Sequence, residues 1–237
     1  ISELQQQLET KKQTAEQTRN KITEASEELT QAKENRSGLQ HELSVLRDME
    51  TRREGLKKGV KKILENRCTD QKRFEYVEKI LAETVEAPLD YAPAVEAALE
   101  GKADSLVIND IARLIEDTAA ITKLGGRADF ITAKGTDHTE NRKDFSQYPQ
   151  VKGPLIDMVS FEEKHRPLLE KLLASTLLIE NTDNIAYLIE QLGDEYNLVT
   201  LNGEFFGSDG SIRLGPLGKS SGLISRKTRI RDLSQRT

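Results

Sequence analysis

The sequence predicts a mixed α/β (α+β) body of two pseudo-symmetric subdomains, flanked by a long N-terminal coiled-coil helix and a short C-terminal helix. Three observations predict it: a heptad stripe over the first quarter, a strand-and-helix pattern that recurs 74 positions later, and a sharp separation of polar arm from apolar body. At 237 residues, with 36% hydrophobic and 32% charged residues and no Trp, the chain is too polar to be packed throughout. Its mean hydropathy of −0.60 implies that part of it is extended and solvated. The single cysteine, Cys68, cannot close an intramolecular disulfide, so nothing requires an oxidising compartment and cytoplasm is the default. No run approaches the ~18 apolar residues of a membrane span. The chain opens at Ile1 in mid-pattern without Met and is read as a piece of a longer protein.

Placing Ile1 at heptad position a puts Leu8, Ala15, Ile22, Leu29 and Leu43 at later a positions, and Leu4, Ala25, Ala32, Leu39 and Leu46 at d. A stripe so narrow, sustained for about six heptads with one Gly and no Pro, is a coiled coil and needs a partner helix. At ~1.5 Å per residue the helix from Ile1 to about Arg53 would be roughly 80 Å long. After Leu46 the register slips, as at a stutter. The natural partner continues beyond the stub that starts near Ser221.

From about Lys79 the pattern reads strand, helix, strand, helix, strand: Ile80 to Val85, Tyr91 to Leu99, Ser105 to Ile108, an amphipathic helix from Ile111 to Leu124, and Ala128 to Thr132. The order recurs in Leu155 to Val159, Lys164 to Ala174, Thr176 to Ile179, Ile185 to Leu192 and Asn197 to Leu201. A shift of 74 superposes Pro93 on Pro167, and Ile111-Ala112-Arg113-Leu114-Ile115 on Ile185-Ala186-Tyr187-Leu188-Ile189. Internal duplication of this kind predicts two related subdomains. The expected organisation is arm 1–58, first subdomain 59–133, a polar linker 134–152, second subdomain 153–220 and a returning helix 221–237.

Catalytic patterns are lacking. His41, His138 and His165 stand far apart and are read as surface residues, and no metal-ligand or Cys/His spacing exists. Gly215-Pro216-Leu217-Gly218-Lys219-Ser220 ends like a phosphate-binding loop, but that loop needs a further Gly separated by four residues from the Gly-Lys pair, and Arg213 stands there. Neither a cofactor nor a metal is expected, and the fragment is read as no enzyme; a nucleotide-binding enzyme using Gly215 to Ser220 is the lesser alternative.

An arm, a duplicated α/β core, a glycine-rich segment and a second helix together resemble the hinge domain of SMC (structural maintenance of chromosomes) proteins, most like the bacterial form. The resemblance rests on Ala94-Val95-Glu96-Ala97-Ala98-Leu99-Glu100-Gly101 with Leu106-Val107-Ile108, on Gly126-Arg127-Ala128-Asp129-Phe130, on Leu198-Val199-Thr200-Leu201-Asn202-Gly203-Glu204, and on Gly222-Leu223-Ile224-Ser225-Arg226-Lys227. It implies a homodimerisation module of a chromosome condensation and segregation ATPase, nucleoid-associated in the cytoplasm, whose heads lie outside this chain. It further implies a ring-like dimer in which an edge of one subdomain meets the other subdomain of the partner, with Gly207, Gly210, Gly215, Gly218 and Gly222 as contact candidates. The family often has paired glycines there, whereas these are single. Accessory subunits would not be contacted here, and no membrane is involved. The rival reading is a coiled-coil scaffold whose body binds another protein.

The net charge of −5 hides two basic clusters. Arg52, Arg53, Lys57, Lys58, Lys61 and Lys62 with Glu54 give a local +5, as do Lys219, Arg226, Lys227, Arg229, Arg231 and Arg236 with Asp232, leaving −15 on the rest. If the two helices pair antiparallel, the clusters are neighbours. All of these cations except Arg236 are taken as candidate non-specific DNA contacts, because phosphate recognition needs charge and the neighbourhood lacks base readers. The plain alternative is an ordinary solvated helix face.

Overall fold

A computed structural model describes residues 2–70, 73–132, 143–215 and 222–236. Helix α1 (Ser2–Thr51) is one continuous element, about 75 Å at the ordinary helical rise. Its apolar stripe is exposed at Leu4, Leu8, Ile22 and Leu29, and the first fully buried position is Leu43, where the arm reaches the body. A turn with left-handed Arg53 (φ 52°) and Gly55 (φ 89°) ends the arm and starts α2 (Lys58–Thr69).

The first half then runs β1 (Val77–Ile80), α3 (Leu81–Thr84), β2 (Val85–Glu86), α4 (Ala92–Ala98), β3 (Leu106–Ile108), α5 (Ile111–Glu116), α6 (Thr118–Thr122) and β4 (Phe130–Thr132). The second runs β5 (Val151–Pro154), a 3-10 turn (Leu155–Met158), β6 (Ser160–Phe161), α7 (Arg166–Leu173), β7 (Thr176–Ile179), α8 (Ile185–Leu192) and β8 (Asn197–Thr200). A hairpin of β9 (Phe205–Phe206) and β10 (Ile212–Arg213) comes next, then α9 (Leu223–Arg236). Pro93 and Pro167 sit in the first turns of α4 and α7, where a missing N–H leaves no intrahelical bond unmade.

The duplication extends to the pairing. In the first sheet β1 is antiparallel and β4 parallel to the central β3; in the second, β5 is antiparallel and β8 parallel to β7. Both antiparallel pairs carry an irregularity, between Val77 and Lys79 and between Val151 and Gly153, positions related by the same shift of 74. The halves are joined by a two-stranded sheet in which Glu86 lies opposite Ser160, its own equivalent. An antiparallel pair between equivalent residues places a local two-fold axis through the pair. The sheet orders among the described residues are β1-β3-β4 and β10-β9-β8-β7-β5, so the hairpin lengthens the second.

Several expectations are corrected. The strands expected over Ile80 to Val85 and Leu155 to Val159 do not form as such: Ile80 ends β1 and Val85 starts β2, while Leu81–Thr84 winds into α3 and Leu155–Met158 into the 3-10 turn, with Leu81, Ala82, Leu155 and Ile156 buried in the core. The helix expected from Ile111 to Leu124 breaks at Asp117 into α5 and α6, neither of which has a fully buried residue. The expected linker 134–152 ends inside the second body, since β5 starts at Val151 and Phe145 and Tyr148 pack against a core; residues 133–142 lie outside the described ones. His165 is fully buried, not a surface residue. One large core runs through both halves, from Val60 and Leu106 to Leu155, Leu169 and Ile224, and a smaller one (Leu177, Ile179, Leu188, Leu192, Leu198, Phe206) lies on the other face of the second sheet.

Candidate functional site

Two regions hold the residues singled out by sequence: the junction of arm and body, and the glycine-rich hairpin. At the junction, Lys57 ends the turn after α1 and its Nζ donates to Asp104 (2.9 Å) and Asp129 (2.7 Å). Those carboxylates raise the Lys57 pKa, and Lys57 holds Asp129 below the usual carboxylate range. Gly59 then packs on the backbone of Gly126 and Arg127, so close that a Cβ would strike both of their carbonyls. Lys62 Nζ donates to the Leu124 carbonyl.

Helix α9 enters the same corner. Its first N–H groups find a carboxylate from another element: Glu96 of α4 accepts from Leu223 (3.1 Å), Ile224 (2.7 Å) and Ser225 (3.2 Å). This satisfies donors that a helix start leaves open and opposes the positive end of the helix dipole. Burial raises the Glu96 pKa, while the three N–H bonds and the nearby Arg226 pull it back. Arg226 is buried and donates to the Glu54 carbonyl (2.8 Å), Arg229 forks onto Glu42 of the arm (2.7 and 2.9 Å) and pairs with Asp232, and Arg231 pairs with Glu86 (2.6 Å). Lys227 donates to the Glu83 carbonyl (3.3 Å).

The structure therefore brings the two basic clusters together, with Arg53, Arg226 and Lys227 lining one cavity of about 220 Å³. It does not leave them as a bare +10. Arg52 pairs with Asp48 inside the arm, Lys57 with Asp104 of the body, Arg229 of α9 with Glu42 of the arm, and Lys227 and Arg231 of α9 with Glu86 of β2, so these cations are engaged in contacts within the chain. Among the described residues, Lys58 and Lys61 have no carboxylate partner. Lys219 lies outside the described residues.

The hairpin glycines have roles within the chain. Gly210 (φ 82°) and Gly215 (φ 101°) occupy the left-handed region with open space around them, while a Cβ on Gly207 would strike Asp209 and Ser211 of its own turn. Gly222 lets the start of α9 approach the Glu96 carboxylate, since a Cβ there would sit 3.0 Å from it. Gly218 lies outside the described residues, as does the rest of the Gly215 to Ser220 loop beyond Gly215. Sequence reasoning missed Glu96 and Asp104, although a lone acid in the apolar run Ala92 to Leu99 is a signal for a buried, partnered carboxylate. Among the described residues, no group of three or more His, Cys, Asp or Glu could hold a metal, and no helix is long and apolar enough to cross a membrane.

Residues 74–185 match the family model of the SMC proteins Flexible Hinge Domain. The chain is 29% identical over 199 residues to the Chromosome partition protein Smc of Halothermothrix orenii, covering 81% of this chain and 16% of that protein. It is 27% identical over 221 residues to the protein of the same name from Myxococcus xanthus, covering 92% and 18%. It thus spans less than a fifth of the length of these relatives. In fold it is similar to the asymmetric dimer of the Geobacillus stearothermophilus SMC hinge domain, with a TM-score of 0.73 and 23% identity over 88% of this chain and 83% of that one. The mixed α/β fold with its long leading helix and C-terminal helix is the SMC hinge fold, and the resemblance to the bacterial SMC hinge holds in sequence and in structure.

Proposed function

We propose that this chain is the homodimerisation hinge of an SMC-type chromosome condensation and segregation ATPase of the bacterial nucleoid, with non-specific DNA contact where arm meets body. Nucleotide hydrolysis would belong to other parts of the longer protein. The observation that carries the dimer reading is a mismatch between duplicated sheets. The second sheet continues past β8 into the hairpin and ends at β10, whereas the first ends at β4, the equivalent of β8, among the described residues. Two copies can close both ends at once, β10 of each lying beside β4 of the other. That exchange is self-complementary and supplies partners for edge N–H and C=O groups. Exposed Ile212 and Leu214 give the β10 edge an apolar surface.

Sedimentation equilibrium of the chain tests it. The expected result is a dimer of the 26.6 kDa chain that dissociates when Ile212 and Leu214 are both changed to Asp. A monomeric wild type overturns the reading and leaves the scaffold alternative standing. For DNA, the support is narrower than the count of cations implied: Lys58 and Lys61 on α2, which meet no carboxylate among the described residues, are the cations least committed to holding the fold.

A further inference from the structure

The duplicated halves allow each helix flank to be compared with its own equivalent. In the second half α8 covers β7 and β8 through Leu188 and Leu192, and Phe206 of β9, opposite Leu198, completes that core with Ile185 packed against it. In the first half α5 supplies Leu114 and β4 supplies Phe130 at the matching positions, but among the described residues no strand takes the place of β9. The consequence is visible in exposure. Ile189 is 37% exposed, whereas its equivalent Ile115 is 65% exposed; Ile185 is half-buried, whereas its equivalent Ile111 is 52% exposed.

The direction of this bare flank is set by helix geometry. Arg113 reaches Glu75, just before β1, at 3.2 Å, so its side of α5 faces the β1 end of the sheet. Leu114 packs on the large core. At about 100° per residue, Ile111 and Ile115 fall together on the flank opposite Arg113, toward the outer edge of β4. The hairpin carries side chains of matching character. Ile212 lies opposite Phe206 and therefore points to the same face of its sheet, as does Leu214 two residues on; they are 59% and 67% exposed. Arg213 points to the other face, over the Phe205 ring at 4.0 Å and against Glu100 at 3.1 Å.

We propose that Ile111 and Ile115 are the seat for Ile212 and Leu214 of a second copy, which take on the first sheet the place that the chain's own hairpin takes on the second. The inference rests on the dimer reading and names the side chains that make it selective. When β10 lies beside β4, the alternation of faces puts Ile212 and Leu214 on the α5 side and keeps Arg213 with its own subdomain. A strand shifted by one residue would turn Arg213 toward Ile111 and Ile115.

Two measurements test it, both on the whole chain in a Cys68→Ser background. First, the dimer dissociation constant is compared for wild type and Ile111→Asp/Ile115→Asp. Both positions are exposed, so the far-UV circular dichroism spectrum should hold while the constant rises by at least about 100-fold, because each homodimer loses four buried aliphatic side chains, two at each of its two interfaces. Second, Ile115→Cys chains are mixed with Leu214→Cys chains under mild oxidation; the expected product is the mixed disulfide, in large excess over disulfide from either chain alone. A wild type that dimerises and an Asp variant with an unchanged constant overturn the seat and leave the dimer reading intact, whatever the cross-link yield. A monomeric wild type overturns both.

Discussion

Glu96 ties together segments 127 residues apart, because its carboxylate accepts from the opening turn of α9. Glu96→Ala leaves those buried N–H groups without an acceptor and should lower stability by about 1–3 kcal/mol, read by urea unfolding. His165 makes a different kind of claim. Its ring is buried, neither nitrogen has a hydrogen-bond partner among the described residues, and burial lowers its pKa, with Lys164 and Lys79 pushing the same way and Glu78 and Glu162 opposing. The folded chain thus prefers neutral imidazole, while the unfolded chain takes up a proton near pH ~6.5. Its contribution is complete above that pH and is lost as pH falls toward the lowered folded value. The unfolding midpoint should drop as pH is taken from 7 to 5, and His165→Leu should flatten that drop; an equal slope in both proteins would remove His165 as the cause.

Helix α2 joins arm to body through one close approach. Gly59 lies against the backbone at Gly126, so Gly59→Ala, which would ordinarily strengthen a helix, should here cost about 1–3 kcal/mol, because the atom it strikes is a carbonyl and not a movable side chain. On the outer side of α2, Lys58→Glu/Lys61→Glu should weaken duplex DNA binding and reduce its salt slope by ~2, about one for each phosphate no longer neutralised. Arg229→Ala should leave that slope unchanged and instead loosen α9 from Glu42 of the arm. This division was not legible in sequence. Counting Lys and Arg located the junction, because the arm and returning helix do meet there, but partners such as Asp104 for Lys57 and Glu86 for Arg231 come from segments far off in the chain. Elements with strong period or fixed punctuation were legible: α1 from its heptads, α4 and α7 from their prolines, β7 and β8 from apolar β-branched runs. The turns at Leu81–Thr84 and Leu155–Met158 were not, since a short apolar run buried on all sides has no period to separate strand from helix.

For the molecule as a whole, the duplication was readable from the shift of 74. The asymmetry that matters for assembly was not, because it resides in the hairpin appended to β8, which has no counterpart beside β4 among the described residues. That asymmetry yields a test that no single contact could give. If β4 of each chain meets β10 of the other, a dimer has two interfaces, each combining one α5 flank with one hairpin. An Ile111→Asp/Ile115→Asp homodimer spoils both interfaces, and so does an Ile212→Asp/Leu214→Asp homodimer. A mixed pair concentrates all the damage in one interface and leaves the other wild type. Mixing the two variants should therefore produce heterodimers at concentrations where neither variant dimerises alone, detectable by sedimentation when one carries a fluorescent label. A symmetric contact in which each flank or hairpin met its own copy predicts the opposite: every mixed pair would retain a charged face against an apolar one, and mixing would restore nothing.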